Sequence, residues 1–515
     1  MREPFDLIVV GGGINGAGIA RDAAMRGLRV CLLERGDWGE GTSSKSSMLA
    51  HGGLRYLEQF DLPLVHEALQ DRELMLRQAP HLVRPLRFVY PLYPDVASRR
   101  TVRVGLWLYD QLSHGKSVPK RAYLKREALL QELPALDPEN LAGGATYYDG
   151  QFQSVERFVL ELVLDARAHG ADCRNHTNVR RIIVEDGTAT GVELEDGTAL
   201  AARTVINACG PWVDELLDAT TQGPHHLIRK TKGTHIAVKR FLDTALIVRA
   251  QDGRTFFFIP WHDVVLIGTT DTDHPEDAAT AQATPEDVAY LVSAARRYFP
   301  EANLDVLWTY AGVRPLLNQQ GLTESAVSRR HALAPATAAG LWSVQGGKLT
   351  TYRHLAEQAV TKVCRHLGMR AQAKARPTRM GTLPGGPLIP WQTFREQAIE
   401  TAIGQGILPI SAAHLVDTYG ARWQRAARNP QRIQKGLPHV WGEIDLALEE
   451  DAQTLADVML RRTRLGLGPR GRMGVAAKVA THLQERLGWT DAERTAQMDA
   501  YREAAARFDV PEAKD

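Results

Sequence analysis

The chain has 515 residues, 44% of them hydrophobic, enough to bury several cores and to form roughly two to four domains. Its 62 basic and 60 acidic residues leave a formal charge of +2, which excludes the general electrostatic footprint of a nucleic-acid or acidic-polymer binder, so any anion specificity must be local. Four cysteines lie far apart without a CxxC pair, which argues against a disulfide framework or a zinc site, and no apolar stretch approaches the roughly 18 to 20 residues that span a bilayer.

The dispersed cysteines lead to the expectation of a reducing compartment, and the N-terminus, which passes at once into an apolar strand pattern with no signal-peptide regions, to that of no export. Asp6-Leu-Ile-Val-Val10 predicts a short strand. Gly11-Gly-Gly-Ile-Asn-Gly-Ala-Gly18 then opens a helix that runs to Arg26 and stops at Gly27, and Arg29-Val-Cys-Leu-Leu-Glu34 reads as the next strand. This is a βαβ unit and implies a parallel sheet.

In GxGxxG, read as Gly11, Gly13 and Gly16, the first glycine permits a tight turn and the second lets a pyrophosphate approach the backbone. The third allows close helix packing, with helix N-terminal amides facing the phosphates. Glu34 at the strand end completes the fingerprint by accepting hydrogen bonds from a ribose. FAD and NAD share this pattern. The hydroxyl-rich Gly41-Thr-Ser-Ser-Lys-Ser-Ser47 offers a second wall for a long cofactor. The distant Gly346-Gly347 turn precedes a helix whose N-terminal end would stabilise a reduced flavin, and together these favour FAD.

Further along, Asn178 to Ile206 is β-rich with hairpin signals at Asp186-Gly187 and Asp196-Gly197. A second β-rich block from about Thr231 to Asp271, with Thr255–Ile259 and Val264–Ile267, predicts an antiparallel sheet as a substrate domain. Leu341–Gln345 reads as a strand before the diglycine turn, and Leu349 to Leu367 as a helix ending at Gly368. After Pro384-Gly385-Gly386-Pro387 the pattern is nearly all helical. The predicted organisation is α/β plus α+β: a Rossmann-like FAD-binding domain (1–85, 151–228, 333–386), a cap and antiparallel-sheet substrate domain (86–150, 229–332) and a C-terminal helical domain (387–515).

The sequence resembles the FAD-dependent glycerol-3-phosphate dehydrogenases of the D-amino-acid-oxidase-like superfamily. The glycine fingerprint, Thr42-Ser-Ser44, His51-Gly-Gly-Leu-Arg-Tyr-Leu57 and Asn207-Ala-Cys-Gly-Pro-Trp212 carry the likeness. So do Lys232-Gly-Thr-His235, Ile267-Gly-Thr-Thr-Asp271, Gly312-Val-Arg-Pro-Leu316 and Gly346-Gly-Lys-Leu-Thr-Thr-Tyr-Arg353. Two departures are Cys209, where threonine is common, and Gln345, where an aromatic residue is common.

The resemblance implies oxidation of glycerol 3-phosphate at C2 to dihydroxyacetone phosphate, hydride transfer to noncovalently held FAD, and electron delivery to a membrane quinone. Expected cofactor contacts are Gly11, Gly13, Ile14, Asn15, Gly16, Glu34, Thr42, Ser43, Ser44, Ser46, Ser47, Ala208, Gly210, Trp212, Gly346, Gly347, Lys348, Leu349 and Thr350. A phosphate dianion needs cationic donors, and Arg55, Arg314 and Lys348 each lie in a motif; Arg329 is a weaker fourth, since Arg330 could serve instead. Tyr56 and Thr270 are further substrate candidates. Arg314 and Lys348 are also placed in the catalytic set. The base that takes the C2 hydroxyl proton is expected among His51 and His235, the two histidines flanked by glycine-bearing motifs.

Five arginines, Arg461, Arg462, Arg464, Arg470 and Arg472, fit a solvated face, contact with anionic lipid, or buried pairing with Glu449-Glu450-Asp451. The expected location is cytoplasmic and peripheral on the inner face of the cytoplasmic membrane. A homodimer is carried as the oligomeric expectation, although the sequence itself is silent on it. Competing readings are an oxygen-using glycerol-3-phosphate oxidase, an amine or amino-acid oxidase of the same fold, and a non-enzymatic flavoprotein.

Overall fold

Leu7–Val10 lies at the centre of a six-stranded sheet because both its faces are apolar. Leu7 and Val9 face one core with the helices Ile14–Met25, Val155–Ala168 and Tyr352–His366, while Ile8 and Val10 face another with the three-stranded sheet 179–201. The strand pairs in parallel with Val30–Leu33 and Val205–Asn207. Asp172–Arg174 and Leu341–Gln345 extend the sheet on either side, and Ala332–Pro335 closes one edge antiparallel. The βαβ unit and its crossover are thus those expected from the first 34 residues.

The structure is a computed structural model and describes residues 3–57, 61–94, 99–113, 115–221, 223–318, 331–335, 338–468 and 473–512. Arg329, Arg330, Arg470 and Arg472 fall outside the described residues, as do the side chains of Arg55 and Tyr56.

The second large sheet is antiparallel except where Ala245–Arg249 runs parallel to Val83–Pro91. Its strands Ile228–Lys239 and Val306–Leu317, twelve residues each, pair along almost their whole length, with Gly233 opposite Gly312 and His235 opposite Tyr310. Thr255–Trp261 and Val264–Gly268 form the expected hairpin beside them. The strands Val83–Pro91 and Gly144–Phe152 complete the sheet. Both turns at Asp186-Gly187 and Asp196-Gly197 form; at the first, both residues have positive φ, 47° and 74°, as a two-residue hairpin requires.

From Trp391–Gly404 onward the chain is helical, with Pro409–Tyr419, Trp441–Glu449, Met473–Leu487 and Asp491–Ala506 as its longer helices. Of the readings of the arginine run, burial holds for Arg461 and Arg462 and a solvated or lipid-facing position does not; the partner is corrected, since the carboxylate they share is Asp37. Asp37 receives Arg461 Nε at 2.8 Å and both Arg462 terminal nitrogens at 2.6 and 2.8 Å. Arg461 also pairs with Asp457, and Arg462 donates to the Glu450 carbonyl. The arginines therefore clamp the helical tail onto the loop after Glu34.

Candidate active site

The cofactor side is built around the turn at Gly11. With φ at +108°, Gly11 has a conformation costly for any L residue, and a Cβ there would lie 2.6 Å from the Ala208 carbonyl oxygen. A Cβ on Gly16 would lie 1.8 Å from the Gly11 carbonyl oxygen, so strand and helix meet only because both are glycine. Glu34 accepts from the Gly12 amide at 2.6 Å and the Gly36 amide at 2.8 Å. Burial raises its carboxyl above the ordinary value, while those two amides pull it back.

Ser43 Oγ accepts from the Ile14 amide at 3.0 Å, joining the hydroxyl loop to the N-terminus of the fingerprint helix. The Asn15 side-chain oxygen is buried without a hydrogen-bond partner among the described residues, and Gly347, φ +102°, sits against the amide of that side chain. Gly347 of the diglycine turn therefore lies beside Asn15 of the fingerprint helix. Trp212 stacks under the Arg35 guanidinium, 4.1 Å from its ring, and borders Gly41, with Gly210 in the left-handed region at the turn before it. An open glycine backbone, helix amides, a ribose-type carboxylate and an unpaired buried amide oxygen fit a dinucleotide.

Not every loop hydroxyl points toward a ligand. Ser44 bonds the Glu40 and Gly41 carbonyls, Ser46 Oγ accepts from the Met48 amide, and Thr42 donates to the Val313 carbonyl at 2.6 Å. The Thr42 bond ties the loop to the strand carrying Arg314, and the others are internal to the loop. Ser47 instead reaches His235, with Oγ 2.8 Å from Nε2.

His235 is buried at the centre of the long strand pair. Its ring stacks on Tyr310 at 4.8 Å with 3° between planes, and a Cβ on Gly268 would collide with it. Burial and the nearby Arg314 charge push it down to about 3, so the imidazole is neutral at physiological pH. Its Nδ1 has no hydrogen-bond partner among the described residues.

Arg314 lies across Gly233, donating to Thr269 Oγ1 at 2.8 Å and the Thr270 carbonyl at 3.3 Å, with Asp271 at 3.1 Å. Thr270 is buried, and its hydroxyl oxygen accepts from the Thr234 amide at 2.9 Å, the structural bond open to any strand-end threonine. Lys348 is half-buried at the turn before the helix Tyr352–His366. His51 is also half-buried, and its amide donates to Thr350 Oγ1 at 3.1 Å, so the two motif loops meet there.

The sequence reading missed what holds these pieces. The turn after His51 is fixed by Asp149, which accepts from the Gly52 amide, Arg72 and Tyr109. A Cβ on Gly52 would lie 2.4 Å from Leu69. Tyr310 was also missed, although the alternating pattern of the two long strands places it opposite His235 once they are paired. Two motif residues turn inward: Lys232 pairs with buried Asp287 at 2.7 Å, and Arg353 with Asp71 and Glu357, both at 2.7 Å.

Fold and site define an FAD-dependent oxidoreductase, and residues 6–360 match the family described as FAD dependent oxidoreductase. Residues 377–494 match the C-terminal domain of alpha-glycerophosphate oxidase. A glycerol-3-phosphate dehydrogenase of Synechocystis sp. is 37% identical, over 99% of this chain and 97% of that protein. The aerobic glycerol-3-phosphate dehydrogenase of Bacillus subtilis is 32% identical, over 90% and 87%. The structure of glycerol-3-phosphate dehydrogenase from Bacillus halodurans complexed with FAD matches with a TM-score of 0.81 at 27% identity, covering 100% of this chain and 97% of that one. The chain belongs to the family of FAD-dependent glycerol-3-phosphate dehydrogenases, and its cofactor is FAD.

Proposed function

We propose that this protein oxidises sn-glycerol 3-phosphate at C2 to dihydroxyacetone phosphate and passes the electrons to a membrane quinone. One arrangement supports this most: a neutral buried His235 and the Arg314 guanidinium share one strand pair, bolted through Thr42 and Ser47 to the loop that borders the flavin site. Bound FAD supplies the hydride acceptor. The remaining work falls to side chains.

Arg314 and Lys348 bind the phosphate dianion, joined by Arg55 and Tyr56 from the adjoining turn and by Arg329 or Arg330. Arg314 exchanges its Asp271 contact for the stronger negative charge of the substrate. In the tautomer that donates from Nε2 to Ser47 Oγ, the His235 Nδ1 lone pair is left to take the C2 hydroxyl proton as hydride departs. The stacked Tyr310 keeps the ring from turning. His51 meets Thr350 through its backbone amide, which joins the two loops, and its side chain is given no part in proton removal.

Among the described residues no helix is long and apolar enough to cross a membrane. The proposal carries a peripheral seat on the cytoplasmic face of the membrane, on anionic lipid, and a homodimer as the functional unit. The test is anaerobic: sn-glycerol 3-phosphate, and not glycerol, should bleach the bound flavin, and a soluble quinone should restore the colour under argon. Recovery only on admitting oxygen would reassign the enzyme as an oxidase; no bleaching would reject the substrate.

A further inference from the structure

Two groups of histidines and carboxylates among the described residues bring three ligand-type atoms within 4.8 Å of one another. One of them, Asp37 with His176 and Asp457, is already filled by the guanidiniums of Arg461 and Arg462. The other is His414 with His439 and Glu443, and among the described residues Glu443 pairs with these two histidines and with no lysine or arginine. It lies in the helical domain and takes no part in the active site.

His414 stands in the helix Pro409–Tyr419, Glu443 in the first turn of Trp441–Glu449, and His439 four residues before Glu443. The two elements share one apolar core with Val416, Tyr419, Val440 and Leu446. The Glu443 side chain is wholly buried, and its two oxygens lie 2.8 Å from His414 Nε2 and 3.3 Å from His439 Nδ1. The first contact is a hydrogen bond. The second is not aligned as one, and Nδ1 is buried without a hydrogen-bond partner among the described residues.

His439 is 9% exposed, and its ring stands 4.2 Å from that of His414 with 70° between planes. Burial and the neighbouring His414 push its imidazole below the ordinary value, so it is neutral, the form that ligates a metal. A buried ring nitrogen that makes no hydrogen bond beside a carboxylate is a costly arrangement unless a cation joins the two. Arg464, whose charge reaches His439, does not fill that place, being turned to His262 and the face of Trp261.

We propose that His414 Nε2, His439 Nδ1 and the Glu443 carboxylate form a zinc site, with water in the fourth position. Two imidazoles and one carboxylate suit zinc, whereas magnesium and calcium prefer oxygen throughout. His414 gives up its Nε2 proton on binding. No cysteine takes part, and the two histidines meet only in the fold, so no local spacing announces the site. The metal pins the helix Pro409–Tyr419 to the start of Trp441–Glu449.

Titration of zinc chloride into the chelator-stripped, FAD-loaded enzyme tests it. One equivalent should bind and raise Tm, and zinc-edge X-ray absorption should show nitrogen and oxygen neighbours at about 2.0 to 2.2 Å with no sulfur. His439→Phe keeps a ring in place and removes no side-chain hydrogen bond, so it should retain FAD and the metal-free Tm while losing zinc affinity by about 100-fold or more. His414→Gln keeps a donor toward Glu443 and should lose zinc likewise. Flavin reduction by glycerol 3-phosphate should be equal with and without zinc, which separates this site from the substrate assignment. The proposal is overturned if the parent binds no zinc or binds it only in the millimolar range, if both variants bind it as the parent does, or if sulfur enters the metal's shell. A metal-free Tm that falls in His439→Phe, with no response of the parent to zinc, would make the cluster a hydrogen-bonded network alone.

Discussion

A Cβ placed on Gly233 would lie 2.1 Å from Nη2 of Arg314, so the guanidinium occupies the space that any other residue at 233 would fill. The glycine in Lys232-Gly-Thr-His235 is thus a seat for an arginine of the paired strand, far along the chain, and the two motifs are one device.

Gly233→Ala should displace Arg314 without touching the flavin. The expected result is a raised KM for glycerol 3-phosphate, approached from above by Arg314→Ala, which removes one or more charge-assisted hydrogen bonds of about 1.5 to 3 kcal/mol each. Steady-state kinetics together with FAD content checks it. An unchanged KM in both variants removes Arg314 from the phosphate pocket.

His235→Asn should lower the anaerobic rate of flavin reduction by roughly 10² to 10⁴, the usual worth of a general base. The same residue shapes stability. Burial and Arg314 hold it down to about 3, so between its ordinary value near 6.5 and 3 the unfolded chain binds a proton that the folded chain refuses. Its contribution is present above pH 6.5 and is lost as pH falls toward 3. Denaturant titrations at pH 7.5, 6 and 5 should show a shallower loss in His235→Asn than in the parent.

Ser47→Ala should separate orientation from basicity. It removes the 2.8 Å partner of His235 Nε2 but leaves the imidazole, its stacking on Tyr310 and its charge state in place. The reduction rate should fall by about fivefold, the worth of one neutral hydrogen bond of roughly 1 kcal/mol, and far less than in His235→Asn. Stopped-flow reduction of both variants side by side decides it; equal losses would make Ser47 part of the proton path itself.

The elements legible in the sequence were those with local signals. The fingerprint turn, the hairpins at Asp186-Gly187 and Asp196-Gly197, and the strand before Gly346 each announce themselves within a few residues. Val83–Pro91 and Gly144–Phe152 did not, because Arg84-Pro85 and Asp149-Gly150 break their apolar alternation and only pairing to each other makes them strands. For the site, His235, Arg314 and Ser47 could be named, but not their contacts: Gly233, Gly268 and Tyr310 matter through neighbours more than 30 residues away, and no window of sequence contains such pairs. Arg461 and Arg462 mislead for the same reason. The run reads as a surface or as pairing with the nearby Glu449-Glu450-Asp451, and only the fold brings Asp37, far back in the chain, beneath it.

That pairing yields the last prediction. Asp37 is fully buried and lies three residues beyond Glu34, and it neutralises Arg461 and Arg462, with a further bond from Asn175 at 3.1 Å. Burial alone would raise its carboxyl, but the two guanidiniums, Arg462 foremost, hold it below the ordinary range. Removing it takes the carboxylate from beneath buried Arg462 and leaves Arg461 to Asp457, so Asp37→Ala should destabilise by about 3 to 5 kcal/mol. Since the carboxylate also anchors the loop that follows Glu34 to the helical tail, the variant should lose FAD on gel filtration where the parent keeps it. The double change Arg461→Met with Arg462→Met takes away the charges together with the need to neutralise them. Combined with Asp37→Ala it should recover part of the lost melting temperature, whereas no recovery would mean that Asp37 acts through packing and not through charge.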